Sequence, residues 1–304
     1  MKKLYNEYST YLREKYGEKV YKLPINIPIT CPNRDGTKGT GGCTFCAEVG
    51  TGFESLENTL SVAEQLRKNM TYIGKRYNAK KFIAYFQNYT NTYMPFEIFK
   101  TYIEEAAIEN IVEIDISTRP DCIDEKYLQF LYDFREKSGV EITFELGLQT
   151  INYHTLDKIN RGHGISEYID AILKLKKYNF ISCTHLILNL PWDDMRDVIE
   201  TARVISALNV EQVKIHSLYL MKGTVMGNQY ENNEFTICSK EEYIDRVVNF
   251  LQNLNDGIVI QRLIGRAPKE NSLFVNWNTS WWKIKEEIEE EMTKRNTYQG
   301  ELAK

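Results

Sequence analysis

The stretch CPNRDGTKGTGGCTFC, residues 31–46, follows directly after the first apolar run of the chain, Val20 to Ile29. It places Cys31, Cys43 and Cys46 in C-x11-C-x2-C spacing. The closely spaced pair brings two thiolates within reach of one metal centre, and the intervening glycines let the backbone direct N–H groups toward a buried anion. This pattern is typical of a cluster that contains inorganic sulfide.

A zinc site is the alternative use of the same cysteines. Zinc normally takes four protein ligands, and the sequence contains no second CxxC and no HxxxH that would complete the set. Cys122, Cys183 or a histidine would then have to serve as the fourth ligand. An iron–sulfur cluster needs no such residue, because three cysteines leave one iron open to bind and activate a small molecule.

Outside this loop, short apolar runs typical of buried parallel strands alternate with amphipathic helical segments. The alternation repeats about every 30 to 40 residues, which predicts parallel βαβ units. Six or seven units fall short of the eight that close a full barrel, so a partial barrel and a doubly wound sheet both remain possible on pattern alone. The seven runs are Val20 to Ile29, Phe82 to Phe86, Ile111 to Ile116, Val140 to Leu148, Ile181 to Leu190, Val210 to Leu220 and Ile258 to Gln261.

The composition indicates one globular domain with short additions at its ends. The 304 residues are 42% hydrophobic and 26% charged, and the formal net charge is −4. This acidic balance argues against a protein that coats nucleic acid non-specifically, although it allows a local basic site. No apolar run approaches the roughly 20 residues that cross a bilayer, and the N-terminus lacks a signal-peptide pattern. We therefore expect a cytoplasmic protein with no membrane partner.

The three-cysteine loop, with an aromatic residue before its last cysteine, resembles the radical S-adenosylmethionine (radical SAM) superfamily. In that superfamily three cysteines hold a [4Fe–4S] cluster, whose open iron binds the amino and carboxylate groups of SAM. The long loop is similar to that of the YhcC/YtqA group and of the Elongator catalytic subunit. Further matching strings are YFQNYTNTY (85–93), STRPDC (117–122), ELGLQT (145–150), INRGH (159–163) and KIHSLYLMKGT (214–224).

The resemblance implies a partial (β/α)6 TIM-like barrel of the radical SAM type. We expect an N-terminal helix in residues 1–19, the barrel in residues 20–256 and a C-terminal extension in residues 257–304. The resemblance also implies reductive cleavage of SAM to a 5′-deoxyadenosyl radical, which takes a hydrogen atom from the substrate. An electron donor such as flavodoxin or ferredoxin would be a partner. The oligomeric state stays open.

Three of the implied SAM-binding residues follow motifs of the superfamily closely. Phe45 would pack against the adenine, and Gln149 would contact the ribose. Arg161 lies twelve residues beyond Gln149, where related enzymes carry an arginine that pairs with the SAM carboxylate. The forked N–H donors of a guanidinium suit that carboxylate. The structural alternatives are a core phenylalanine and an exposed arginine at a helix end.

Other positions depart from the superfamily pattern. Gln87 and Asn88 replace the double-glycine motif that holds the SAM amino group, and their amide oxygens can accept from an ammonium. Ser117 stands in place of a carboxylate near SAM, and His185 in place of a ribose-binding aspartate. A lone histidine on a strand is otherwise a satisfied core residue. In the same region, Arg119 and Asp121 form either part of the site or a structural ion pair.

The substrate side of the site is implied by the string KIHSLYLMKGT. Tyr219 and Lys222 match a stretch shared with Elongator and are our candidates for catalytic residues. Elongator acts on the C5 side chain of the wobble uridine, so tRNA is the expected substrate. No segment resembles Elongator's acetyltransferase domain, so we expect rearrangement or trimming of an existing side chain. One alternative is a radical SAM enzyme that acts on a small metabolite. The other is a redox sensor or assembly partner that carries the cluster.

A basic and aromatic segment near the C-terminus is the candidate surface for a nucleic-acid strand. Its alternative role is a C-terminal cap with tryptophans in the core. The segment contains Arg262, Arg266, Lys269, Trp277, Trp281 and Trp282.

Overall fold

The computed structural model describes residues 3–47, 56–266 and 270–303. Seven strands form one parallel sheet that curves into a half-barrel. Two short strands pair antiparallel outside it. In chain order the strands are β1 (Val20–Ile25), β2 (Lys81–Phe86), β3 (Ile111–Thr118), β4 (Glu141–Gln149), β5 (Ile181–Ile187), β6 (Gln212–His216), β7 (Leu220–Met221), β8 (Val259–Arg262) and β9 (Ser272–Phe274).

Helices cover the outside of the half-barrel and pack on its apolar strands. Several begin at a side chain that caps the first turn; Asp124, for example, accepts a hydrogen bond from the N–H of Lys126. The helices are α1 (Tyr8–Tyr16), α2 (Val62–Tyr77), α3 (Phe96–Ala106), α4 (Glu125–Ser138), α5 (Tyr153–Lys158), α6 (Ile165–Lys177), α7 (Met195–Ala207), α8 (Val225–Glu231), α9 (Lys240–Asn253) and α10 (Trp281–Lys294).

The strand order decides between the two folds that the sequence left open. The parallel sheet runs β1-β2-β3-β4-β5-β6-β8, so consecutive parallel strands are always neighbours. A doubly wound sheet would instead reverse its strand order at a switch point. The predicted partial barrel is confirmed, and each of the seven apolar runs overlaps one strand of the parallel sheet.

The sheet has seven strands, one more than the six expected. The seventh, β8, pairs in parallel with β6 and begins after residue 256, inside the segment expected to be a C-terminal extension. The register between these strands places Lys214 beside Arg262. The division into three segments itself stays a prediction.

The outer strands β1 and β8 have no strand on their far side within the described part of the chain, and the two ends of the chain meet beside β8. The carbonyl of Asn6 accepts from the N–H of Ile260 at 2.8 Å. Gln299 accepts from the N–H of Asn6 at 2.9 Å and donates to the carbonyl of Ile258 at 2.8 Å. This arrangement, called the terminal clasp below, satisfies backbone groups at the sheet edge.

None of the helices in the described ranges has the length and apolar character that crossing a bilayer requires.

Candidate active site

The cysteine loop follows β1 and folds onto the segment after α5. Its turns use positive φ angles at Gly36, Gly41 and Gly42, of 93°, 77° and 83°. Such angles strain residues that carry a Cβ, which explains the glycines. The loop is fixed because the N–H of Thr44 donates to the carbonyl of Ile159 at 2.9 Å.

The sulfurs of Cys43 and Cys46 have N–H donors beside them. Arg161 Nη1 lies 3.4 Å from the Cys43 sulfur, and Arg34 Nη1 lies 3.5 Å from the Cys46 sulfur. Burial, and next the neighbouring Cys43, raise the pKa of Cys46. Three cysteines on one loop, with N–H donors beside their sulfurs, are the kind of ligand set that holds an iron–sulfur cluster. The residues present therefore fit a cluster held by Cys31, Cys43 and Cys46.

The other cysteines do not complete a zinc site at this loop. All six cysteines are free thiols. Within the described chain, only Cys31, Cys43 and Cys46 among them line the central cavity. Cys183 is fully buried in β5, and burial, followed by Asp121, raises the pKa of Cys122 to about 12. Neither residue lies on the cavity wall that the three loop cysteines share.

A cavity of about 430 Å³ opens at the carboxyl ends of the strands, next to the cysteine loop. Its volume lies within the usual range of small-molecule sites. The structure brings most of the predicted site residues together on its wall, while their roles stay predictions. The predicted residues on this wall are Cys31, Cys43, Cys46, Phe45, Gln87, Ser117, Gln149, Arg161, His185 and Tyr219.

Two predicted residues are not among those that line the cavity. Asn88 is buried and donates to Asn26 Oδ1 at 2.8 Å. Lys222 is exposed just beyond β7, and its N–H donates to the carbonyl of Asn271 at 2.8 Å. Two matching strings, YFQNYTNTY and KIHSLYLMKGT, predicted these residues close to the site, and their roles stay predictions.

Some residues of the candidate basic segment line the cavity, and others lie elsewhere. Arg262, Arg266 and Trp281 line the cavity. Trp277 is half-buried in the core, where its Nε1 donates to the carbonyl of Cys238 at 2.8 Å. Trp282 is 52% exposed. Lys269 lies outside the described residues.

The end of β4 is shaped around Arg161. Arg161 Nη2 donates to the carbonyl of Gly147 at 2.5 Å, and a Cβ at position 147 would lie 2.7 Å from that nitrogen. Two residues on, Gln149 takes a positive φ of 78° at a shift in strand register. Backbone of this kind is uncommon for residues with a side chain and occurs at functional sites. It turns Gln149 to the cavity wall.

Arg119 and Asp121 form a structural ion pair. Arg119 Nε lies 2.8 Å from Asp121 Oδ1, Arg119 Nη2 lies 2.9 Å from Asp121 Oδ2, and both side chains are almost fully buried. Arg119 Nη1 also donates to the carbonyl of Arg161 at 2.8 Å. The pair thereby holds the backbone of the arginine that lies beside Cys43.

The floor of the cavity is a buried charged network centred on Glu145. Its Oε1 lies 2.5 Å from Lys22 Nζ, and its Oε2 lies 2.8 Å from both Lys214 Nζ and His185 Nε2. Ser117 Oγ adds a bond at 3.3 Å. Burial alone would raise the pKa of Glu145, but Lys214 and Lys22 hold it well below its usual value. Glu145 is therefore an anion that positions its neighbours.

The basic groups on the floor have lowered pKa values. Burial lowers the pKa of Lys214 to about 8 against the attraction of Glu145. Burial, followed by Lys214, lowers the pKa of His185 to about 4. Burial and then Arg262 lower the pKa of His216 well below its usual value. Both histidines are therefore neutral at pH 7.

A second metal site on the floor is disfavoured, although Glu145, Cys183 and His185 place one ligand atom each within 4.8 Å of one another. The two oxygens of Glu145 already bind Lys22 and Lys214. A divalent cation would have to displace these ammonium groups and would meet their repulsion.

Sequence reasoning missed most of the floor. Tyr85, Glu145, Lys214 and His216 line the cavity, yet none was selected as a site residue. Glu145 and Lys214 could have been selected because each is a charged residue within an otherwise apolar predicted strand. Buried charges occur where they are paired or functional.

The comparisons with known proteins agree with this geometry. The sequence model of the Radical SAM superfamily matches residues 31–205, which include the cysteine loop and more than half of the chain. The chain belongs to the radical SAM superfamily. The model of the Radical_SAM C-terminal domain matches residues 210–294. As a radical SAM enzyme, the chain uses a [4Fe–4S] cluster and SAM.

Among relatives, YtqA of Bacillus subtilis is 34% identical over 301 residues, which are 99% of this chain and 93% of YtqA. The tRNA uridine(34) acetyltransferase of Methanocaldococcus jannaschii is 26% identical over 159 residues, covering 50% of this chain and 28% of that protein. The structure of Methanocaldococcus infernus Elp3 with an N-terminal deletion matches with a TM-score of 0.72 at 18% identity, covering 92% of this chain and 64% of that one. This last match shows a shared fold.

Proposed function

We propose that this radical SAM enzyme modifies the C5 side chain of the wobble uridine in tRNA. When bound, the cluster and SAM supply the one-electron chemistry that removes a hydrogen atom from the substrate. The chain's own residues have to bind an anionic substrate, orient it and exclude water.

The charge of the cavity carries this proposal. Among the described residues that line it, Glu145 is the one carboxylate, whereas six side chains are basic. Asp121 neutralises Arg119, but basic side chains still outnumber the carboxylate on this wall, and in a chain whose net charge is −4 this favours a polyanion or another anionic ligand. The six basic residues are Arg34, Arg119, Arg161, Lys214, Arg262 and Arg266.

Part of the cavity wall also suits a nucleotide. The exposed Arg266 lies with its guanidinium carbon 5.2 Å from the ring centre of Trp281, and Trp282 is half exposed beside it. Cations next to aromatic rings offer phosphate contacts and stacking surfaces to an unpaired base. A wobble base lies in an unpaired loop and can enter such a site.

One relative supports the choice of tRNA. The archaeal tRNA uridine(34) acetyltransferase is named for an action on uridine 34 of tRNA, and its match covers half of this chain. The similarity to Elp3 adds a shared fold over 92% of the chain. We assign no acetyl transfer to this chain. Removal of a hydrogen atom from an existing side chain is the step that the three cysteines support.

Within this proposal, Arg161 binds the SAM carboxylate and Gln149 the ribose, while Phe45 packs on the adenine. All three line the cavity. On the cavity floor, Glu145 is fully buried, and the neutral histidines beside it suit an enclosed substrate group.

Nucleoside profiling of tRNA from a deletion strain tests the proposal. We expect a changed wobble-uridine modification that returns with the wild-type chain but not with the Cys43→Ala variant. Arg266→Glu should restore it only in part, whereas Arg67→Glu, at an exposed position of α2 away from the cavity, should restore it fully. An unaltered profile, both aerobically and anaerobically, would contradict a tRNA substrate.

A small anionic metabolite is the second candidate, because Lys214 on the cavity floor is 7% exposed and suits a compact acidic group. An unaltered tRNA profile, together with anaerobic formation of 5′-deoxyadenosine, would favour it. Absence of 5′-deoxyadenosine would instead favour a redox sensor or assembly partner.

A further inference from the structure

We propose that a second pocket, formed by α1, β8 and α10, binds the base next to the one that reacts, so that the chain holds two neighbouring nucleotides of one RNA strand. The inference rests on the proposed function, because it names how the strand that carries the reacting uridine is held outside the central cavity.

The second pocket lies where the N-terminal segment leaves the edge of β8, and its volume is about 300 Å³. Glu7 pairs in parallel with Ile260, and the chain then turns into α1. From α10 the pocket receives Trp281 and Lys285, which lie one turn apart on the same face of the helix. Three separate elements therefore build this pocket, in contrast to a depression on one exposed loop.

The lining of the pocket is apolar in its buried part and polar at its opening. Ile260, Leu263 and Ile264 are each at most 3% exposed. Ser9 is exposed, and the side chain of Lys285 is 36% exposed. A largely apolar pocket with a few polar groups is the usual form of a site for a small organic group.

The pocket adjoins the central cavity. Arg262, Ile264 and Trp281 line both spaces. Because the two spaces share these lining residues, one layer of side chains separates them, and a group bound in one lies next to a group bound in the other. A continuous strand can therefore place one base in the cavity and the neighbouring base in the pocket.

Aromatic side chains give this pocket its affinity for a base. Tyr8 at the start of α1 and Trp281 at the start of α10 both contribute ring surface to the lining. Stacking on such rings is the main way in which proteins hold unpaired bases, and it tolerates any base because every base has a π-face.

The charged groups of the pocket favour an uncharged ring over a phosphate. Glu7 Oε1 lies 3.5 Å from Lys285 Nζ and accepts from the hydroxyl of Tyr5 at 3.2 Å. Lys285 also pairs with Glu289 at 2.9 Å. These paired groups offer an acceptor and donors to the edge of a base, which itself carries both kinds of group. The phosphates of the strand would then stay outside the pocket.

Equilibrium binding of two ribotrinucleotides to the cluster-loaded full chain, saturated with SAM, tests the pocket. Both carry a central uridine, and their flanking nucleotides carry adenine in one and no base in the other. Their phosphates are the same, so the difference in affinity measures the flanking bases alone. We expect the base-bearing trinucleotide to bind at least about tenfold more tightly, because a stacked base is lost from the other.

A substitution at the opening of the pocket locates this preference. Ser9→Trp places a bulky ring at an exposed position of the lining and should abolish the preference for the base-bearing trinucleotide. Glu14→Trp adds the same ring at an exposed position of α1 outside the lining and should keep the preference. If Ser9→Trp fails to fold, photocrosslinking of the wild type with 4-thiouridine in the flanking positions decides, and its crosslinks should map to residues 5–9 or 281–285.

Equal affinities of the wild type for the two trinucleotides, or binding of neither, would overturn the pocket. A folded Ser9→Trp variant with the full preference, or crosslinks that map only elsewhere, would overturn it as well. None of these measurements contains tRNA. A changed tRNA profile without a base-dependent affinity would leave the proposed function intact and reject the pocket, whereas a base-dependent affinity with an unaltered profile would reject the wobble uridine and keep the pocket.

Discussion

The guanidinium of Arg161 contacts the sulfur of Cys43, a residue 118 positions earlier in the chain, at 3.4 Å. The same guanidinium is bonded twice to the carbonyl of Gly147, at 2.5 and 3.2 Å. One side chain thus joins the cysteine loop to the end of β4. A ligand held by the cluster at this point would meet a cation whose position is already fixed.

Replacing Arg161 should therefore weaken SAM binding without removing the cluster. For Arg161→Ala we expect a loss of about 1.5 to 3 kcal/mol, roughly one to two decades in affinity, because a charge-assisted pair with the carboxylate is lost. Calorimetry with SAM measures the affinity, and iron analysis serves as the control. Unchanged affinity with a full complement of iron would show that Arg161 does not bind the carboxylate.

The cluster should depend on three cysteines and on no others. Anaerobically reconstituted protein is expected to hold about four irons and about four sulfides per chain, and Cys31→Ala, Cys43→Ala or Cys46→Ala should each abolish this content. Ala variants of Cys122, Cys183 and Cys238 are the matched controls and should keep it. Bound zinc without acid-labile sulfide would contradict the assignment.

The ion pair of Arg119 and Asp121 should be a major contributor to stability. Asp121→Asn leaves a buried guanidinium without its anion, which costs about 3 to 5 kcal/mol of unfolding free energy. Asp170→Asn removes an exposed partner from an ion pair at 2.7 Å to Lys174 and should cost less than about 1 kcal/mol. Chemical denaturation of both variants under anaerobic conditions compares the two losses of unfolding free energy. Similar losses would refute the claim that the buried ion pair contributes more than the exposed one.

Stability should rise with pH because of Lys214. Its pKa in the folded chain, about 8, lies below the ordinary value of 10.5, so the unfolded chain binds more protons between these two pH values. The charged Lys214 therefore lowers the free energy of unfolding fully below pH 8, and this effect disappears as the pH rises toward 10.5. Between pH 7 and 10, the free energy of unfolding of the wild type should rise by on the order of 1 to 3 kcal/mol relative to that of Lys214→Met. A gain of the same size relative to Lys68→Met, at an exposed position of α2, would refute the assignment to Lys214.

The positions of most strands followed from sequence because the central strands of this sheet are buried on both faces. Such strands are almost continuously apolar, as in Phe82 to Phe86, and they stand out from the helices between them. The cysteine spacing was equally informative, since metal ligands have to converge. The sequence left open whether the sheet has six or seven strands. The seventh strand, β8, has only four residues and gives a weak pattern.

The floor of the cavity was hidden for a physical reason. Glu145, Lys22 and Lys214 come from three different strands, and only the barrel brings their charges together. Motif strings, in contrast, group residues that are adjacent in the chain. This explains why Lys222, which shares a string with Tyr219, lies outside the residues that line the cavity.

The terminal clasp has a consequence for the order in which the molecule can be built. Asn6 and Gln299 are bonded across 293 positions, and ribosomes make the chain from its N-terminus. The backbone of Asn6 therefore emerges long before its partner exists, and contacts this distant in sequence carry the largest loop-closure cost. During synthesis, the edge at β8 gains the Gln299 part of the clasp only after every strand of the half-barrel has been made.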